Sequence, residues 1–267
     1  MTDAAKIIKA LRFAAPALLL CCSPCRAQES LVKETLSRAG SVLSAPARLN
    51  SGSALWLAGL SAGGLLVYSA DTQIRNTFKK NRSAANDNAS IALEKFGNGG
   101  YELAFLGAYG GLGYVFKKPE MRRTAVLALE SFAAANAAGT LVKYAAGRYR
   151  PYSGNGKGAF RPFKMKTANT SFPSGHTTSV FALASVFSAR SDKPAVGLAA
   201  YSVAAGVALQ RVYGDKHWAS DVFAGAALGT VVGRWLAAGE RARTPHSAML
   251  LPVYAPGYAG AAAVYNF

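Results

Sequence analysis

Cysteine is nearly missing from this chain: Cys21, Cys22 and Cys25 are the only three, all close to the start. If that leader is removed, no thiol remains, which excludes structural disulfides and a cysteine nucleophile and suits an oxidising compartment. Acidic residues are also scarce. Thirteen Asp and Glu face 30 Lys and Arg, a formal charge of +17, and beyond residue 27 there are 26 bases against 12 acids, or +14. Such an excess favours anionic partners, namely phosphorylated substrates or acidic lipid headgroups. Nucleic acid is not expected, because no nucleic-acid module is recognisable and the bases are scattered among apolar stretches. Runs of β-branched residues are few and alanine is abundant, so the expected fold is an all-α helical bundle. Leu- and Ile-rich runs are lacking too. Several apolar stretches approach membrane-spanning length but consist of Ala, Gly and Ser, which favours a bundle packed on itself, soluble or attached to a membrane surface, over an embedded one. Counting crossings from an inside N-terminus points the same way, since it would put the basic turn 117–123 outside.

The first 27 residues have the form of a secretory signal peptide. Lys6, Lys9 and Arg12 give a basic start, residues 13–22 a short apolar stretch, and Cys25-Arg26-Ala27 a small-residue cleavage site. A helical domain is expected over 28–240 and an extended tail over 241–267, which reads as an irregular strand pair packed on the bundle. Within the domain, a short helix is expected in 28–50, an apolar stretch over 53–70 followed by a polar run over 71–90, and further helices near 91–96, 101–116, 124–142, 176–190, 194–210 and 221–238. The stretch 152–170 reads as a long loop that carries Lys157, Arg161, Lys164 and Lys166 without one acid. It is either a rim that attracts anionic substrate or a solvated connection.

Chemistry concentrates in three polar clusters: Lys143-x6-Arg150-Pro151, Pro173-Ser174-Gly175-His176, and Arg211-x5-His217-x3-Asp221. A helix from His176, a turn at 191–194 and a return helix form an antiparallel hairpin that brings both histidines to one end. His217 and Asp221 are four residues apart and share a helix face, so the carboxylate can hold Nδ1–H and free the other ring nitrogen as a nucleophile. Ser174, Gly175 and His176 open a helix whose N–H groups suit phosphate oxygens. His176 is the candidate general acid. Lys143, Arg150 and Arg211 would hold the non-bridging oxygens. Arg148 either joins the site or flanks it, and Trp218 is a packing residue. Each feature alone has a plainer reading: a helix cap at Ser174, a His–Asp staple, surface bases. Their joint occurrence in this order favours a metal-free phosphoryl-transfer site.

On these residues the chain resembles the type 2 phosphatidic acid phosphatase superfamily, which includes bacterial acid phosphatases and vanadium haloperoxidases. Every charged or histidine position of the three-part signature is filled; Gln210 stands where the family commonly has serine. The resemblance implies a helical bundle of the acid phosphatase/vanadium haloperoxidase type. It implies His217 as nucleophile oriented by Asp221, His176 as acid, and Lys143, Arg150, Ser174, Gly175 and Arg211 as phosphate cradle. It also implies hydrolysis with no metal and no cofactor. The expected substrates are lipid phosphates such as phosphatidate, isoprenyl pyrophosphate or lipid A, met in the periplasm or at the outer side of the inner membrane. Soluble phosphate esters, vanadate-dependent halide oxidation and mere lipid binding are the alternatives.

Overall fold

A computed structural model of the chain describes residues 51–243 and the strands 248–255 and 258–265. The expected signal segment and the helix in 28–50 lie outside the described residues. Among the described residues seven helices follow in order: α1 (Ser51–Lys80), α2 (Ala84–Phe96), α3 (Gly99–Val115), α4 (Pro119–Ala146), α5 (Gly175–Arg190), α6 (Pro194–Tyr213) and α7 (Ala219–Arg243). Single 3-10 turns at Pro151–Ser153 and Thr167–Asn169 punctuate the long loop between α4 and α5. The starts are written in the sequence. Ser83 caps α2 by accepting from the Asn86 N–H at 3.2 Å, and Asn98 caps α3 by accepting from the Gly100 N–H at 2.9 Å. Pro119 and Pro194 open α4 and α6, at positions where no intrahelical N–H is needed.

Three elements differ from the sequence reading, the first being α2, which begins at Ala84, seven residues before the expected 91–96, behind its Ser83 cap. Helix α1 does not stop where polarity begins at Asp71 but runs on to Lys80. Its polar residues Asp71 and Arg75 find partners in the protein, so the change in polarity marks a change of environment and not a helix end. Helix α4 starts at Pro119, five residues before the expected boundary, and takes in the basic turn. The tail is an antiparallel hairpin of β1 (Ala248–Ala255) and β2 (Tyr258–Tyr265), with Ala255 opposite Tyr258.

Helix α5 is central and packs against α4, α6 and α7. Its contact with α7 is unusually close because Gly225, Gly229 and Gly233 form a smooth stripe on α7. A Cβ at Gly229 would lie 2.2 Å from the Thr178 carbonyl oxygen, and one at Gly225 2.7 Å from that of Ser174. Val180, Ala184, Ala204 and Val207 form a small-residue core between α5 and α6, closed by Phe181, Ala200 and Tyr201. Outward faces are apolar and open. Leu55, Trp56, Leu65 and Leu66 on α1, Leu141 on α4 and Leu198 on α6 are all exposed. The segments Ala54–Lys80, Pro119–Ala146, Pro194–Tyr213 and Ala219–Glu240 are long and apolar enough to cross a membrane, and the most apolar window of the first is only 6% buried. The bundle therefore does not cover its own apolar surface, which supports a membrane location over the self-packed soluble form that composition favours.

Candidate active site

The four ends that carry the sequence clusters meet at one end of the bundle. Helix α4 terminates at Gly147, whose φ of 60° places it in the left-handed region. A Cβ there would fall 1.9 Å from the Arg161 carbonyl oxygen, so the tight exit toward Arg148 and Arg150 needs glycine. One turn earlier, the Lys143 Nζ donates to the carbonyls of Pro173 and Thr170, which tethers α4 to the entry of α5. Lys143 also runs alongside Gly175: a Cβ there would stand 3.7 Å from Lys143 Cε, an ordinary van der Waals contact.

Two guanidinium groups complete a cationic ring. Arg150 donates from one terminal nitrogen to Thr170 Oγ1 at 3.3 Å. Arg211, buried in the last turn of α6, donates to Glu94 Oε1 of α2 at 3.0 Å and to Gln210 Oε1 at 3.3 Å. The Nε–H of each arginine is buried without an acceptor among the described residues. An unspent buried donor costs about 1–3 kcal/mol. Two of them beside one site are what an oxyanion receptor needs.

Both histidines feel this ring. Burial, followed by Arg211 and, after a partial offset from Glu94, by Arg150 and Lys143, pushes the His176 imidazolium down to about 4. Burial, then Arg150, Lys143 and Arg211, holds His217 well below the ordinary histidine range. The same three cations thus surround both rings. His217 is neutral, and its Nδ1 lies 2.7 Å from the Ser171 carbonyl oxygen. A carbonyl can only accept, so Nδ1 carries the proton and Nε2 keeps its lone pair.

That contact changes the expected part of Asp221. Its Oδ2 is 3.9 Å from His217 Nδ1, beyond a hydrogen bond. It acts one step removed: Oδ2 accepts from Ser171 Oγ at 2.5 Å and from the Trp218 N–H at 2.9 Å, so it fixes the residue whose carbonyl holds the ring. The second bond ties down the start of α7, as the plainer staple reading anticipates. Ser174 precedes α5 without a side-chain cap bond; its N–H donates to the Asp221 carbonyl at 2.9 Å. Trp218 packs in the core but also donates Nε1–H to the Tyr149 carbonyl at 2.9 Å.

Among the described residues Arg148 is the largest fully buried side chain, and it is the hub behind the site. Nε and one terminal nitrogen donate to the Lys157 carbonyl at 3.0 and 2.9 Å, and that nitrogen also reaches Asp71 Oδ2 at 2.8 Å. The other nitrogen donates to Ser220 Oγ at 2.8 Å and Asp221 Oδ1 at 2.6 Å. The rings of Tyr68, Phe160 and Trp218 surround the guanidinium at 5.0–5.7 Å. All five donors are committed, so this arginine does not present itself to an anion. Sequence spacing did not reveal Asp71, Ser171 or Ser220 in this network, nor Glu94 on Arg211. An acid at the border between the apolar and polar halves of α1 was the available signal for Asp71. In the long loop, Arg161, Lys164 and Lys166 are exposed, whereas Lys157 Nζ is spent on the Tyr68 and Ser69 carbonyls.

Residues 124–245 match the PAP2 superfamily. Over 93 residues, 34% of this chain and 18% of the relative, the sequence is 40% identical to a lipid A 1-phosphatase of Porphyromonas gingivalis. It is 38% identical over 91 residues to a lipid A 1-phosphatase of Rhizobium johnstonii, covering 33% of this chain and 36% of that one. The chain spans less than two fifths of the length of these relatives. Among solved structures, a transmembrane PAP2-type phosphatidylglycerolphosphate phosphatase from Bacillus subtilis aligns with a TM-score of 0.49 at 18% identity, over 81% of this chain and 96% of that one.

Proposed function

We propose, on the premise that residues 124–245 match the PAP2 superfamily, that the chain hydrolyses a phosphate group from a membrane lipid through a phosphohistidine on His217. The observation that carries this reading is the pair of buried, acceptor-less Nε–H groups on Arg150 and Arg211 beside a neutral His217. In the reaction, the His217 Nε2 lone pair attacks phosphorus. The bond from phosphorus to the leaving oxygen breaks, and His176 gives its proton to that oxygen. Water then attacks the phosphoryl group and passes a proton to His176, and the P–N electron pair returns to Nε2. Lys143, Arg150 and Arg211, with the first N–H groups of α5 at Ser174-Gly175-His176, stabilise the charge on the non-bridging oxygens.

The low affinity of His176 for a proton fits this cycle. Burial, then the three cations, disfavour imidazolium in the empty site; an arriving phosphate opposes the cations and raises the affinity of His176 for a proton, so substrate moves the acid toward its charged form. Three fixed cations also make the site unfavourable for a divalent metal, in keeping with hydrolysis that needs none.

The substrate class is lipid, with a lipid A-type glycolipid phosphate first, in keeping with the relatives' activity. The loop supports it: Phe160, Phe163 and Met165 are exposed among Arg161, Lys164 and Lys166, a mixture suited to a lipid–water boundary with acidic headgroups. Residues 1–27 act as an export signal, and the site faces the periplasm or exterior. A panel of lipid A, phosphatidate, isoprenyl pyrophosphate and nitrophenyl phosphate tests the reading. His217→Ala is expected to lose turnover on all four, and substantial remaining hydrolysis would refute the assignment of the nucleophile.

A further inference from the structure

Helix α1 lies outside the stretch that matches the superfamily, yet it grips the loop that carries His217 at both ends. At the near end, Arg75 makes a two-pronged bond to Asp215, Nε to Oδ1 at 2.6 Å and a terminal nitrogen to Oδ2 at 2.7 Å. Lys79 adds a contact to the same carboxylate at 3.5 Å, and Arg75 also stands 5.5 Å over the Trp218 ring. Asp215 has a φ of 57°, an uncommon conformation for a residue other than glycine that this pair helps to hold. At the far end, Asp71 is 1% exposed. Its Oδ1 accepts from the Ser220 N–H at 2.9 Å, and its Oδ2 from Ser220 Oγ at 2.6 Å and from Arg148 at 2.8 Å. Arg148 in turn holds Asp221, which holds Ser171, whose carbonyl accepts from His217 Nδ1–H.

Asp71 and Arg75 are four residues apart on one helix face, and His217 sits between their targets. We infer that Asp71 and Arg75 are positioning residues for phosphoryl transfer: α1 fixes the 215–220 loop so that the His217 Nε2 lone pair points at the phosphorus. The inference rests on the proposed role of His217. The alternative is that α1 is only a structural strut, and the two make different demands on the chemistry. A strut affects folding and leaves the surviving folded protein with normal kinetics. A positioning pair leaves phosphate binding intact and slows the attack.

The test compares full-length wild type, Asp71→Asn, Arg75→Ala and Arg75→Lys in detergent, with nitrophenyl phosphate as substrate and with inorganic phosphate and vanadate as inhibitors. Vanadate bonds to the nucleophilic nitrogen and so reads its alignment; phosphate reads only the cation ring. For Asp71→Asn we expect kcat to fall about 10- to 100-fold, as for lost support of an active-site imidazole. KM and phosphate inhibition should stay within about threefold while vanadate inhibition weakens at least about tenfold. Arg75→Ala should show the same pattern with a smaller loss, and Arg75→Lys should recover part of it. Folded variants with wild-type kcat and vanadate inhibition would overturn the inference. Parallel losses of phosphate and vanadate inhibition that track thermal stability would also overturn it. If Asp71→Asn does not fold, the partly exposed Arg75 pair decides by the same criteria. A wild type without phosphatase activity, or a His217→Ala variant as active as wild type, would bring down the proposed function and this inference together. An active wild type beside kinetically normal α1 variants would bring down the inference alone.

Discussion

Adding one methyl group to the α5–α7 contact should have opposite consequences from adding it elsewhere. At Gly229 a Cβ would stand 2.2 Å from the Thr178 carbonyl oxygen and 2.9 Å from the Ala182 backbone nitrogen. These obstacles are helix backbone, so no side chain can rotate away, and relief requires α5 and α7 to separate by about 1 Å. Overpacking of a close contact costs about 1–3 kcal/mol, and the rigid partner puts this case at the upper end. At Gly107 and Gly59 a Cβ would meet nothing within 4 Å. There alanine should gain up to about 1 kcal/mol from its better helix propensity. Thermal unfolding of Gly229→Ala and Gly107→Ala in one detergent should therefore shift in opposite directions. The separation would also stretch the 2.9 Å bond between the Ser174 N–H and the Asp221 carbonyl, and with it the register of the two histidine-bearing ends. A misplacement of that size is worth about 100-fold in turnover. A Gly229→Ala protein with wild-type stability and activity would refute the backbone contact on which the site geometry depends.

Replacing His176 by alanine should reduce hydrolysis of an alkyl phosphate far more than of nitrophenyl phosphate, whose leaving group needs no proton; equal losses would contradict the acid role. Stability should fall as pH drops from about 6.5 toward 4. The native protein holds His176 and His217 neutral while the unfolded chain takes up protons there, so the contribution present above the ordinary histidine range is lost in that window. Saturating inorganic phosphate should flatten this dependence by favouring the charged His176, and thermal midpoints measured at pH 7, 6 and 5 with and without phosphate check it. Chelation should leave hydrolysis unchanged and vanadate should inhibit; loss of activity with chelator and recovery with one divalent metal would refute the metal-free scheme. Arg148→Met should destabilise the protein by about 3–5 kcal/mol, because it strands the buried carboxylates of Asp71 and Asp221, and a near-neutral result in thermal unfolding would contradict the hub.

The helical hairpin was legible because its signals are local. Pro194 marks the start of α6, and the hairpin's sequence length alone places His176 and His217 at one end. The cationic ring was legible because charged residues at fixed intervals around two imidazoles have few joint explanations. Two things were not legible. The acceptor on His217 is a main-chain carbonyl, which any residue at position 171 would offer, so no side-chain pattern could announce it. The side-chain partners of Arg148 lie 72 to 77 residues away in sequence, on elements whose relative placement only tertiary packing decides. Helix α1 was misjudged for a related reason: its polar half looks like a loop until the buried partners of Asp71 are known. Composition also understated the membrane, because an Ala- and Gly-rich face can be as open to lipid as a leucine-rich one.

The saturation of Arg148 has a practical consequence for anyone trimming or transplanting this catalytic unit. A fragment cut to residues 124–245 would retain every member of the three-part signature and still lose Asp71. It would enclose a guanidinium with one counter-ion where two were provided. The smallest excisable piece therefore begins upstream of Asp71, and a grafting scheme guided by the signature alone would leave out a component that the signature does not contain.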